Sequence, residues 1–294
     1  MGNSFWVGCY SGPIKATEAL SAAKSWAWGA LSSWWLGLPW SRRLDTKTDP
    51  KLANWPGNDA TSRVQASNTI LLPPITYQFD PRNPVPTIGG NVSSQGTLMF
   101  QGAANQRCRL DFWLCTDTKP LSARNDVLVF QTPPLANDIE VTGRLIVKLW
   151  ASSDALDTDF TAKLVDVYPP NTDFPSGVDL NIADSIVRAR YHNGFGKAEL
   201  LKPGQPYEFT IEMYPTSLVF KKGHRIRVDI SSSNFPRFDI NPNTGEPLNN
   251  NRGSQVAYNT IYLDAKHPSQ IVLPIVPAET TVMSALGSGG NHGR

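Results

Sequence analysis

Three kinds of side chain that form a serine-hydrolase triad lie close together in the segment KKGHRIRVDISSSNFPRFDINPNTG. In such a triad a histidine takes a proton from a nucleophilic hydroxyl, and a carboxylate orients the imidazole. The candidate residues are His224, Ser231–Ser233, Asp229 and Asp239. The segment is therefore either an active site or a strand followed by a corner.

The local pattern favours the strand. His224 follows the glycine of a turn and begins a stretch of alternating apolar and polar residues, and the serines come only after that stretch ends. Serine and asparagine at a strand end can satisfy backbone groups, and Arg225 or Arg237 can pair with Asp229 or Asp239. We interpret the segment as architecture and assign no catalytic residue to it.

Other catalytic motifs are missing from the sequence. No GxSxG occurs, so the turn that presents the nucleophile of α/β-hydrolases is lacking. No HExxH pair places two imidazoles on one helix face. The histidines are scattered at His192, His224, His267 and His292. The sequence thus predicts no catalytic residue, no metal ligand and no cofactor site.

One acidic cluster leaves a choice open. SSDALDTDF carries Asp154, Asp157 and Asp159, and several carboxylates in one loop are what calcium requires. Such carboxylates also cap backbone amides in ordinary polar turns. We expect the polar turn and keep calcium as the alternative.

The net charge argues against two classes of partner, and the cysteine content indicates the cellular compartment. The net charge of +2, from 27 basic and 25 acidic residues, provides no field that would attract nucleic acid or an anionic membrane. The three cysteines, Cys9, Cys108 and Cys115, are too few and too irregular for a disulfide framework. This favours a reducing, cytoplasmic compartment.

Beyond Tyr77 the hydrophobic period is two. RIRVDIS places Ile226, Val228 and Ile230 on an inner face, and Arg225, Arg227, Asp229 and Ser231 on an outer face. YEFTIEMY, from Tyr207 to Tyr214, alternates in the same way. Further predicted strands are DVLVF from Asp126, GRLIVKLW from Gly143, DFTAKLVDVY from Asp159, SIVRARYH from Ser185, NTIYL from Asn259 and SQIVLPIV from Ser269. Short strands separated by proline and glycine predict an all-β sandwich, specifically a jelly roll.

The first part of the chain has a different composition. Six of the nine tryptophans lie between Trp6 and Trp40, and a polar, irregular stretch from Arg42 to Pro74 follows. We therefore predict three regions: 1–75 as a separate segment with a linker, 76–277 as the sandwich, and 278–294 as a flexible tail.

Several long phrases resemble one family. TYQFDPRNPVPTIGGN, VTGRLIVKLWASSDALDTDFTAKLVDVYP and KKGHRIRVDISSSNFPRFDINPNTG are similar to the C-terminal domain of X-Pro dipeptidyl-peptidase and cocaine-esterase-like (CocE/NonD) serine hydrolases. The similarity runs from Tyr77 to Pro277. It implies a galactose-binding-like jelly roll that packs, in full-length members, against an α/β-hydrolase domain.

The same resemblance bears on residues 1–75. FWVGCYSG and WWLGLPWSR look like the family phrases that hold the triad acid and the triad histidine, but Ser11 and Arg42 stand at those positions. Serine cannot orient an imidazole by charge, and arginine stays protonated near neutral pH. The resemblance therefore implies a short, degenerate α/β-hydrolase remnant.

These observations lead to one expected function and two alternatives. The chain is expected to be the C-terminal β-sandwich of an ester- or peptide-cleaving serine hydrolase, without catalysis of its own. The alternatives are a carbohydrate-binding jelly roll and an interaction subunit that docks on a separate hydrolase chain. Expected partners are an α/β-hydrolase domain and, through the tryptophan-rich segment, a second copy of the chain.

Overall fold

The computed structural model describes residues 35–39, 73–92, 98–248 and 252–276. Ten β-strands form within these ranges: β1 (Trp35–Pro39), β2 (Ile75–Phe79), β3 (Leu128–Gln131), β4 (Ile139–Ser153), β5 (Asp159–Tyr168), β6 (Val178–Arg188), β7 (Tyr207–Phe220), β8 (Arg225–Ser231), β9 (Ala257–Ile261) and β10 (Gln270–Val276). Among these residues no helix is long and apolar enough to cross a bilayer.

The strands form two antiparallel sheets. One contains the order β2-β9-β4-β7, and the other has the order β3-β8-β5-β6. From β2 to β9 successive strands alternate between the sheets, except that β5 and β6 are paired neighbours in one sheet. This arrangement is the eight-stranded jelly roll. β10 pairs along the same edge of β4 as β9, and β1 pairs with β10. The predicted all-β jelly-roll sandwich is confirmed.

The main core lies between the two sheets, because every long strand turns its apolar set inward. Ile226, Val228 and Ile230 are buried as the alternation in β8 predicts. The rings of Phe160 in β5 and Phe209 in β7 meet across the sandwich with their centroids 4.8 Å apart. Each such side chain stabilises the fold by roughly 1.5–3 kcal/mol through removal from water.

A second, smaller core sits on the outside of the sheet that contains β8. It belongs to residues 80–92 and 98–127, which together we call the cover segment, and includes Val85, Ile88, Phe112 and Leu121. The amide of Gln106 donates to the Asp179 carbonyl in β6 at 2.8 Å, so backbone hydrogen bonds tie the cover segment to the sheet. The outer face of this sheet is therefore covered by protein.

Most predicted strands are found, with shifted ends. β5 and β8 have the predicted bounds, whereas β4 and β7 run further than predicted. The prediction SIVRARYH was displaced: β6 ends at Arg188 and a 3-10 turn follows at Ala189–Tyr191. Within the predicted segment 1–75, Trp35–Pro39 extends the sheet beside β10. The other predictions, for residues 1–34, 40–72 and 277–294, concern parts of the chain outside the described residues.

Candidate functional site

His224, the histidine of the candidate triad, is held by a carboxylate. A turn at Lys221–His224 leads into β8, and Gly223 adopts a φ of 84° that favours glycine there. The His224 ring nitrogen Nδ1 lies 2.9 Å from Asp166 Oδ1, and the Tyr168 ring packs on the imidazole at 4.2 Å. Burial raises the pKa of Asp166, and His224 partly opposes that shift. This pair supplies the base and the orienting acid of a triad.

The hydroxyls that a triad would need lie at the other end of β8. Ser231 lies seven positions after His224, which corresponds to about 23 Å along a strand. Ser231 bonds to Thr161 Oγ1 at 2.6 Å, and Ser233 Oγ accepts the Val85 amide at 2.8 Å. The serines therefore connect strands to each other and to the cover segment. The candidate triad segment, residues 221–245, is architectural, as predicted.

The outer face of β8 is buried, contrary to the prediction. Arg227, Asp229 and Ser231 were predicted to face solvent, yet each is at least nine-tenths buried because the cover segment lies over them. Arg227 donates to Asp179 at 2.6 Å and its Nε lies 2.9 Å from Asp229 Oδ1. Burial raises the pKa of Asp229, and Arg227 opposes the shift. The outer face is a buried ionic layer.

Arg237, another predicted partner of Asp229 or Asp239, is held elsewhere. It pairs with Asp184 at 2.5 Å, while Arg225 donates to the Thr132 carbonyl at 3.0 Å. Asp184 lies in β6, far from Arg237 in the sequence. No local pattern in the sequence could therefore identify Asp184 as the partner of Arg237.

Lys163 lies at the centre of the ionic layer. Its ammonium donates to Gln106 Oε1 at 2.6 Å, and the Gln106 amide donates to the Ile88 carbonyl at 2.7 Å. Burial lowers the pKa of Lys163, while Asp184 and Asp229 oppose that shift. The cavity beside Lys163 has a volume of about 10 Å³, which holds about one water molecule and no organic substrate.

The carboxylates of the acidic cluster are held by protein donors, and two of them, Asp157 and Asp159, share the side-chain amide of Asn241. Asp157 receives Arg190 Nε at 2.8 Å, Asp159 receives Arg188 Nε at 3.0 Å, and Asp154 accepts the Tyr258 amide at 2.7 Å. Two of the three carboxylates are therefore neutralised by arginine. In the described ranges no three His, Cys, Asp or Glu side chains are placed to hold a metal ion.

The remaining described histidines also lack a nucleophile among their bonded partners. His192 Nδ1 lies 3.0 Å from the Ala189 carbonyl, and His267 Nδ1 lies 3.1 Å from Asp264. Ser269 is close to His267 in sequence, but its hydroxyl accepts the Trp150 amide and donates to the Tyr262 carbonyl. His292, Ser11 and Arg42 lie outside the described residues.

Cysteine reasoning missed one bond. Cys108 and Cys115 form a disulfide in the cover segment, where both are buried in the second core. The odd number of cysteines argued against a framework of several disulfides, but it says nothing about a single pair. The short separation of these two residues was the signal available in the sequence.

The geometry defines a class of protein, a jelly-roll sandwich whose described residues hold no assembled nucleophile and base. The chain belongs to the family of the X-Pro dipeptidyl-peptidase C-terminal non-catalytic domain, whose model matches residues 16–272. The family match begins at residue 16, whereas the resemblance in the sequence analysis begins at Tyr77.

Relatives of this chain are longer hydrolases. It is 42% identical over 203 residues to a cocaine esterase of Rhodococcus sp. (strain MB1 Bresler), covering 68% of this chain and 32% of that protein. It is 24% identical over 209 residues to a putative Xaa-Pro dipeptidyl-peptidase of Bacillus anthracis, covering 69% and 30%. The chain thus spans about a third of the length of these relatives.

Solved structures agree on the fold. An aminopeptidase from a marine sediment archaeon, Thaumarchaeota archaeon, superimposes with a TM-score of 0.59 at 26% identity, covering 72% of this chain and 34% of that one. An α-amino acid ester hydrolase superimposes with a TM-score of 0.57 at 29% identity, covering 69% and 32%. The chain is therefore similar to one region of larger enzymes.

Proposed function

We propose that this chain is the accessory sandwich of a serine hydrolase that cleaves esters or amides, and that it acts by packing against an α/β-hydrolase domain. The observation that carries the proposal is the family match to a non-catalytic C-terminal domain. The separation of His224 from the serines supports it, because the described part of the chain offers no route to an acyl-enzyme.

The substrate class follows from the relatives. Similar proteins include a cocaine esterase, an α-amino acid ester hydrolase and a putative Xaa-Pro dipeptidyl-peptidase, and all three activities cleave an acyl bond. In this proposal the nucleophile and the substrate pocket belong to the hydrolase domain. The carbohydrate-binding alternative stays a prediction: Trp150, one of its possible platforms, is only partly exposed, with His267 packed edge-on at 5.0 Å.

The purified chain tests the first half of the proposal. We expect no hydrolysis of p-nitrophenyl esters or Gly-Pro anilides, and no labelling by a fluorophosphonate probe. The reason is that, among the described residues, the imidazoles of His192, His224 and His267 bond to groups other than serine hydroxyls. Stoichiometric labelling of any serine would show that the chain is an enzyme in its own right. His224→Ala serves as a control, since it should leave the signal unchanged at background.

A further inference from the structure

The disulfide closes a loop that has a buried side and an exposed side. We call Cys108–Cys115 the disulfide loop. Phe112 at its centre is only 2% exposed and packs on Phe100 at 5.2 Å, and both cysteines belong to the second core. The loop is therefore anchored twice, by a covalent bond and by a buried ring.

The exposed side of the disulfide loop is apolar. Leu110 is 70% exposed and Trp113 is 57% exposed, and Leu98 beside them is 58% exposed. Trp113 Nε1 donates to the Leu98 carbonyl at 3.4 Å, and its ring meets that of Phe235 at 6.0 Å. These contacts hold the indole in place, so little conformational entropy would be lost when a partner covers it.

The two most exposed of the other described aromatic side chains, Tyr214 and Phe195, lack this environment. Tyr214 is 61% exposed but follows Glu212 on the polar outer face of β7. Phe195 is 84% exposed between Gly194 and Gly196, in a turn that no disulfide closes. Tryptophan is one of the residue types in which binding hot spots are enriched. The two exposed leucines extend the apolar surface around it.

We infer that the disulfide loop, with Leu110 and Trp113 as anchors, is the surface on which the α/β-hydrolase domain docks. This inference rests on the proposed function. The occupant is taken from the family: the chain matches a C-terminal non-catalytic domain and spans about a third of the length of its relatives, so the rest of such a protein is the partner that we infer. Interfaces between domains of one chain bury about 600–1,500 Å², and the disulfide loop would form part of such an area.

The test uses a complete enzyme. In the Rhodococcus cocaine esterase, the region that matches this chain is replaced by the corresponding part of this chain. The double change Leu110→Ser and Trp113→Ser is then compared with Tyr214→Ser, which alters an equally exposed aromatic away from the loop. We expect the half-life of esterase activity at a fixed elevated temperature to fall roughly tenfold with the loop variant and to stay unchanged with the control.

A second measurement does not depend on a substitution. Hydrogen exchange of peptides that contain residues 108–115 should be slower in the chimera than in the isolated chain, because docking covers the loop. Both variants should lower the thermal midpoint of the isolated chain by only a few degrees, since more than half of each altered side chain is exposed there.

The outcomes separate this inference from the proposed function. A folded, active chimera whose loop exchanges freely, and whose loop variant decays like the control, overturns the docking surface and leaves the proposed function standing. A chimera without esterase activity overturns both. A concentration-dependent dimer of the isolated chain that the loop variant abolishes assigns the surface to a second copy and overturns the hydrolase domain as its occupant.

Discussion

Val228 in the centre of β8 provides the sharpest test of the sandwich. It is 3% exposed, and its cross-strand neighbours are Phe130 in β3 and Leu164 in β5, both buried. Val228→Asp removes a buried side chain worth about 1.5–3 kcal/mol. It also leaves a carboxyl group without a partner, which costs about 1–3 kcal/mol more even when that group is protonated.

The sum, about 4 kcal/mol, is a large part of the 5–15 kcal/mol that stabilises a typical domain. We expect the thermal midpoint measured by circular dichroism to fall by about 10 °C or more, or the cooperative transition to vanish. Val219→Asp is the matched control, because Val219 is 38% exposed on β7. Its cost should stay near 1 kcal/mol or below, including repulsion from Glu140 across the strand pair. Equal midpoints for the two variants would refute the assigned register.

Three further predictions concern charge and the sheet edge. Burial raises the pKa of Asp159 to about 6 despite Arg188, so the folded state binds the extra proton and stability should fall by about 2 kcal/mol as pH rises from about 4 to 6. Asp159→Asn should remove this pH dependence in urea titrations, and a parallel loss in both proteins would contradict it. His224→Ala leaves the buried Asp166 without its partner and should lower the free energy of unfolding measured in urea by about 1–3 kcal/mol. An unchanged free energy would show that the pair is not formed. A chain that begins at residue 73 lacks β1 and leaves the edge of β10 open, so light scattering should show faster aggregation than for a chain that keeps residues 35–72. The opposite order would place β1 outside the sheet.

The inner face of the sandwich was predictable because its cause is local. Alternation of apolar residues in DFTAKLVDVY and RIRVDIS led to the observed bounds of β5 and β8. A side chain on a strand points to the face opposite its neighbours, so the period alone separates inner from outer positions. The missing GxSxG was equally readable, since that motif is contiguous.

The outer face was not predictable by the same rule. Alternation shows that Arg227 and Asp229 share a face, but it does not show whether water or protein covers that face. The cover segment that buries them is more than a hundred residues earlier in the chain. Polar residues at these positions were read as solvent-facing, although they form an ionic layer.

Partner choice also required the tertiary structure. His224 pairs with Asp166, which is 58 residues away and is brought alongside by the pairing of β8 with β5. Ser231–Ser233 lie near His224 in the sequence, but β8 separates them from it in space. They therefore cannot form a triad with His224 and Asp166. By itself the sequence determined the strands, their inner faces and the family resemblance, because each depends on residues close together in the chain. Only the tertiary structure decided which distant charges pair and which apolar side chains remain exposed, because those contacts form between segments that the fold alone brings together.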